Sequence, residues 1–113
     1  METTPRMGTP VRVAIVEDKP LLRLGVQRVV ERESDWIWAW EADSLRAARL
    51  QASNPCDVLL LDLGLPDGSG LDLIEDFTGR GVRVIVFTVL GDEQSVLAAI
   101  ERGAAGYLLK DTA

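Results

Sequence analysis

The feature that most constrains this fold is the stretch Val58 to Gly70, VLLLDLGLPDGSG. An unbroken apolar run, Val58-Leu59-Leu60-Leu61, passes directly into Asp62, and the residues that follow, with Gly64, Pro66, Gly68 and Gly70 among them, suit a loop. An apolar run with no polar alternation fits a strand covered on both faces, as in parallel sheets flanked by helices. In such sheets ligands and chemistry collect just beyond the carboxyl ends of the strands. Asp62 stands at that position and is the first candidate for function.

The rest of the chain repeats the pattern. Val11 to Val16 is β-rich and ends in Glu17-Asp18. Pro20 suits the first turn of a helix with Asp18 as its cap, and Leu22, Val26, Val29 and Val30 recur at helical spacing toward Glu33. Asp35 to Glu41 reads as a second strand whose Trp36, Trp38 and Trp40 share one face. Packing under a helix is the simpler reading of that stripe, with an exposed contact patch on an edge strand as the other. Ser44 to Ala52 reads as a short helix that Asn54-Pro55 ends, and the strand ending at Asp62 follows. After the glycine loop, Leu71, Ile74 and Phe77 carry a third helix, closed by Gly79 and Gly81. Val82 to Thr88 is a fourth strand. Asp92 opens a fourth helix with Val96, Ala99 and Ile100 as its buried stripe, Gly103 closes it, and Gly106 to Lys110 is a fifth strand. Strands alternating with helices through short links imply right-handed crossovers and a parallel sheet.

Composition narrows the chemistry. There is no histidine among the 113 residues, which removes imidazole catalysis and the commonest metal ligand. Net charge is −6 with no basic cluster, so direct nucleic-acid binding by this segment is not expected. Cys56 is the only cysteine, the first ten residues lack the apolar core of a signal peptide, and no apolar run approaches the ~20 residues of a membrane span. A cytoplasmic location is the expectation.

Along the strand ends the polar groups are Glu17 and Asp18, Asp62, Thr88 and Lys110. Convergent carboxylates repel one another and favour a hard cation, for which Mg2+ is suited. A hydroxyl and an ammonium beside them are placed to hold phosphoryl oxygens, and an aspartate can itself be the nucleophile that forms an acyl phosphate. In isolation each residue has a plainer reading: Asp62 as a turn former, Asp18 as a cap, Glu17 and Lys110 as solvated charges, Thr88 as a strand residue, Tyr107 as a half-buried aromatic. Their coincidence at neighbouring strand ends favours a shared site. Asp67, Asp72 and Asp92 read as structural loop or cap residues.

The residues Glu17-Asp18, Asp62 in LLLDLGLPDGSG, Thr88 in VIVFT and Lys110 in GAAGYLLKDTA resemble the receiver domain of two-component response regulators. EDKPLLRLGV, DLGLPDGSGLDLI and GAAGYLLK are most similar to the branch carrying a C-terminal helix-turn-helix DNA-binding domain. The resemblance spans about Val11 to Lys110. It implies a flavodoxin-like, doubly wound sheet of five parallel strands in the order 2-1-3-4-5. It further implies that Asp62 accepts a phosphoryl group from a sensor histidine kinase. Asp18, Asp62 and the Gly64 carbonyl, with Glu17 through a water, would hold Mg2+; Thr88 and Lys110 would bind the phosphate; Thr88 and Tyr107 would form the switch. The chain would then be no enzyme beyond assisting its own phosphorylation and dephosphorylation, and in a full-length regulator it would control DNA binding and transcription.

Three departures accompany the resemblance. The family's fifth helix would begin about where Asp111-Thr112-Ala113 stand, so the expectation is a flexible tail over 1–10 and a receiver over 11–113 with the last helix missing or only begun. An apolar sheet face left uncovered would favour a homodimer or a swapped self-association. Lys110 is followed by Asp111 where many receivers carry proline, and Lys19 adds a positive charge beside Asp18. Gly64 and Leu90, two residues beyond Asp62 and Thr88, cannot orient a hydrolytic water, which implies slow self-dephosphorylation. Among rivals, a phosphatase of the haloacid dehalogenase type needs an acidic residue where Gly64 stands. A flavodoxin-like cofactor binder needs a phosphate loop where Glu17-Asp18-Lys19-Pro20 stands. A scaffold on the same fold that acts only by binding or dimerising, without phosphate, is the remaining alternative.

Overall fold

A computed structural model describes residues 8–110. The tail expected over 1–10 lies mostly outside the described residues, as does the helix start expected at Asp111 to Ala113. In chain order the elements are β1 (Val11–Val16), α1 (Pro20–Glu31), β2 (Trp36–Ala42), α2 (Leu45–Arg49), β3 (Val58–Leu61), β4 (Gly64–Leu65), β5 (Gly68–Ser69), α3 (Leu71–Thr78), β6 (Arg83–Thr88), α4 (Glu93–Glu101) and β7 (Gly106–Leu109). The main sheet has five parallel strands in the order β2-β1-β3-β6-β7. The two-residue strands β4 and β5 pair antiparallel within the glycine loop. With that hairpin set aside, the sheet has the order 2-1-3-4-5 expected from the sequence.

The apolar run of β3 is central, paired with β1 on one side and β6 on the other. Leu59 and Leu61 are wholly buried in a core with Ala14, Val16, Val84 and Val86 from the flanking strands, Ala48 from α2, Leu73, Ile74 and Phe77 from α3, and Ala99 from α4. The opposite face is covered differently. There α1 leaves an apolar groove of about 250 Å³ lined by Leu22, Gly25, Val26, Val29, Leu60, Phe87 and Leu108.

Several local expectations change. The three tryptophans do not share one face: Val13 stands opposite Trp38 but Ala14 stands opposite Trp40, so a bulge at Ala39 reverses the alternation. Trp40 is buried against Phe77 with its indole N–H donating to the Asn54 carbonyl, Trp38 is half-buried, and Trp36 is exposed. Asp18 does not cap α1; the cap position is Lys19, with Pro20 opening the helix. Ile100 is exposed, leaving Ala99 as the buried residue of α4. Helix α2 ends at Arg49 and not at Ala52, its start fixed by the Ser44 hydroxyl accepting from the Ala47 amide.

Candidate functional site

Strand β1 carries Glu17 to the carboxyl edge of the sheet, where the Glu17 amide donates to the Ala42 carbonyl and the residue is only 1% exposed. Beside it, the Asp62 amide continues the β3 ladder onto the Val16 carbonyl at 3.0 Å. Lys110, immediately after β7, places its ammonium between the two carboxylates: Nζ donates to Glu17 Oε1 at 2.5 Å and to Asp62 Oδ2 at 3.0 Å. The register explains this reach, because the Lys110 amide is fixed on the Thr88 carbonyl at 2.8 Å.

Asp18 is exposed, yet one oxygen each from Glu17, Asp18 and Asp62 lie within 4.8 Å of one another. Three carboxylates against one ammonium leave a surplus of negative charge, and the donors are all hard oxygens. That set fits a small divalent cation that retains waters. Burial raises the Glu17 carboxyl above the usual carboxylate range, against the pull of the Lys110 hydrogen bond. Burial works to lower the Lys110 pKa, but the hydrogen bonds and charges of Glu17 and Asp62 outweigh it and the ammonium is held above its ordinary value.

The glycine loop is shaped around Asp62. The Gly64 amide donates to Asp62 Oδ1 at 3.2 Å, and Gly70 packs so closely that a Cβ there would lie 2.2 Å from the Asp62 carbonyl oxygen. Asp67, at the hairpin tip, accepts from the Leu45 and Arg46 amides at the start of α2, which tethers the loop to that helix. Those two amides hold the Asp67 carboxyl below its ordinary pKa.

Thr88 ends β6 fully buried, and its hydroxyl accepts from the Leu90 amide at 3.3 Å. The Tyr107 hydroxyl donates to the Leu90 carbonyl. The structure therefore brings Glu17, Asp18, Asp62 and Lys110 together, with Gly64 joined through its amide. The hydrogen bonds that Thr88 and Tyr107 make with their hydroxyls among the described residues run to Leu90, which bridges them. Sequence reading missed Arg23, whose guanidinium donates to the Glu17 carbonyl and to Glu41. Its place on α1 one turn after Lys19 lets it reach back over the strand end, but in the sequence that place marks only a surface cation.

A sequence profile described as the response regulator receiver domain matches residues 13–113, nearly the whole chain. The chain belongs to the response regulator receiver domain family. This receiver domain is 39% identical over 108 residues to the nitrate/nitrite response regulator protein NarP of Escherichia coli, covering 93% of the chain and 50% of that protein. It is 34% identical over 105 residues to the DNA-binding transcriptional activator DevR/DosR of Mycobacterium tuberculosis, covering 89% of the chain and 48% of that protein. The chain thus spans about half the length of the curated relatives it matches. Among solved structures it is similar to the signal receiver domain of the putative response regulator NarL from Mycobacterium tuberculosis, with a TM-score of 0.82 and 31% identity, covering 94% of this chain and 88% of that one. The receiver fold is flavodoxin-like, with the five-stranded parallel order described above. Receivers as a family are signalling domains that work with sensor histidine kinases and Mg2+. Among the described residues no helix is long and apolar enough to cross a membrane.

Proposed function

We propose that Asp62 is the phosphoacceptor of this receiver, with Asp18, Asp62 and the Gly64 carbonyl as Mg2+ ligands and Glu17 contributing through a water. The observation that carries the reading is the convergence of Glu17, Asp18, Asp62 and Lys110 at one edge of the sheet. An Asp62 carboxylate oxygen attacks the phosphorus of a phosphohistidine on a sensor kinase; the P–N bond breaks, and the imidazole leaves with the electron pair and takes up a proton. Mg2+, when bound, neutralises charge on the phosphoryl oxygens and aligns them with the acceptor. Lys110 pairs with the same oxygens, and Thr88 gives them its hydroxyl.

The acyl phosphate brings roughly −1.5 to −2 charges to the strand end. Thr88 leaves the Leu90 amide when it turns toward the phosphate, and Tyr107, bonded to the same residue, follows. The surface of α4 and β7 changes in consequence. In a longer regulator that surface would control DNA binding and transcription, as the name of the relative DevR/DosR, a DNA-binding transcriptional activator, suggests. The partners proposed are a cytoplasmic domain of a sensor histidine kinase and, over the apolar groove beside α1, a second copy of this chain. The domain turns over no external substrate and assists only its own phosphorylation and slow dephosphorylation.

The decisive experiment is incubation with acetyl phosphate and Mg2+ followed by intact mass. Wild type gains one phosphate and Asp62→Ala gains none. After removal of the donor, the mass of wild type decays over minutes or longer. No gain on wild type would favour a module that acts by binding alone.

A further inference from the structure

We propose that Arg23 is a positioning residue for the acidic site, holding the turn between β1 and α1 so that Asp18 and Glu17 leave the backbone toward Asp62. The inference rests on the reading of these carboxylates as the Mg2+ and phosphoryl site. Arg23 lies on α1, yet its side chain is only 18% exposed, an unusual state for a long cation on a surface helix. Its planar guanidinium splits its donors: Nη1 donates to the Glu17 backbone carbonyl at 2.7 Å and Nε to Glu41 Oε1 at 2.7 Å.

The carbonyl it holds belongs to the peptide plane that joins Glu17 to Asp18. The Glu17 amide is already fixed on the Ala42 carbonyl of β2 at 2.9 Å, so Arg23 completes the restraint from the α1 side. Inside the turn, Glu17 Oε2 accepts from the Lys19 amide at 3.0 Å, and Lys19 in turn offers its carbonyl to the Arg23 amide at 3.1 Å. Among the described residues the Asp18 side chain makes no hydrogen bond or ion pair, so what fixes it is the backbone, through the direction of its Cα–Cβ bond. Arg23 therefore restrains the peptide from which the Asp18 side chain departs, together with the Glu17 carboxylate on the Lys19 amide. Lysine cannot replace it, because a single ammonium does not present two donors in a rigid fork. Glu41 acts one step further out, as the anchor that orients the fork.

The test uses Arg23→Lys, Arg23→Gln and Glu41→Gln in the whole chain, with two measurements: the Mg2+ dissociation constant by calorimetry, and the rate of acetyl phosphate labelling as a function of donor concentration. Arg23→Lys, which keeps the charge, weakens Mg2+ binding roughly tenfold, as loss of an outer-shell support does. Arg23→Gln weakens it by a similar factor, and Glu41→Gln weakens it less in the same direction. At saturating Mg2+ the maximal labelling rate of the variants recovers toward wild type, which separates misdirected ligands from a misfolded domain. Wild-type Mg2+ affinity in Arg23→Lys overturns the proposal, and if only Arg23→Gln is impaired the effect is charge and not position. If Arg23→Lys does not fold, wild-type affinity in Glu41→Gln overturns it. A wild type that neither binds Mg2+ nor takes up phosphate defeats the underlying reading of the site instead.

Discussion

Lys110 is the residue on which the electrostatics of the strand end turn. Its side chain is 10% exposed, and it faces a Glu17 side chain at 1% and an Asp62 side chain at 6%. Removing one partner of such a group leaves buried charge without compensation, which typically costs about 3 kcal/mol or more. Lys110→Met is therefore expected to lose ~3 kcal/mol of unfolding free energy at neutral pH, measured by urea denaturation. Added Mg2+ should restore part of that loss, because a cation that binds only the folded state replaces the missing positive charge. At this scale the sequence was informative wherever a charge abruptly ended an apolar strand, which is how Glu17, Asp62 and Lys110 could be picked out. Arg23 was invisible to the same reasoning. Its partner at the site is a backbone carbonyl, which has no signature in the sequence, and helical periodicity marks the side chain only as a surface cation.

Among the elements, the glycine loop with its β4–β5 hairpin shows how backbone proximity sets the position of Asp62. The Gly70 amide donates to the Leu63 carbonyl at 2.9 Å, and a Cβ at Gly70 would also lie 3.0 Å from the Leu63 Cα. Backbone on both sides leaves nothing flexible to yield. Gly70→Ala should destabilise the domain by about 2 kcal/mol, read from thermal denaturation, and should lower acetyl phosphate labelling by displacing Asp62. Gly64→Ala is the control: nothing lies within 4 Å of a Cβ built there, so its melting temperature should stay near wild type. The strand and helix order was legible because apolar runs and glycine or proline breaks recur at each boundary. The Ala39 bulge was not, since an extra residue in one strand is defined by its neighbour's register and not by its own residues. Ile100 misled for a related reason: helical spacing identifies a stripe but not how far the adjoining sheet extends beneath it.

At the scale of the molecule the two faces of the sheet are unequal. Among the described residues, one is covered by α2, α3 and α4, while the other has α1 alone beside a groove floored by Leu60, Phe87 and Leu108. Leu21 and Leu24 on α1 are also exposed, at 81% and 45%, adding apolar side chains to the surface of that helix. Such a surface favours a self-complementary contact between two copies. Light scattering over a concentration series should show a dimer forming, and Val26→Glu should shift the protein toward monomer; a wild type that stays monomeric at the highest concentration would rule this contact out. The general architecture was readable from the alternation of strands and helices, but the depth of the groove depends on which side chains α1 fails to reach. β7 lies along the edge of this thinly covered half. Among the described residues it is paired only with β6, and its Leu108 and Leu109 are 54% and 44% exposed. Mechanically it is a cantilever with the ammonium of Lys110 at its tip, so any partner that clads the bare face also stiffens the arm that delivers the counter-charge to Asp62.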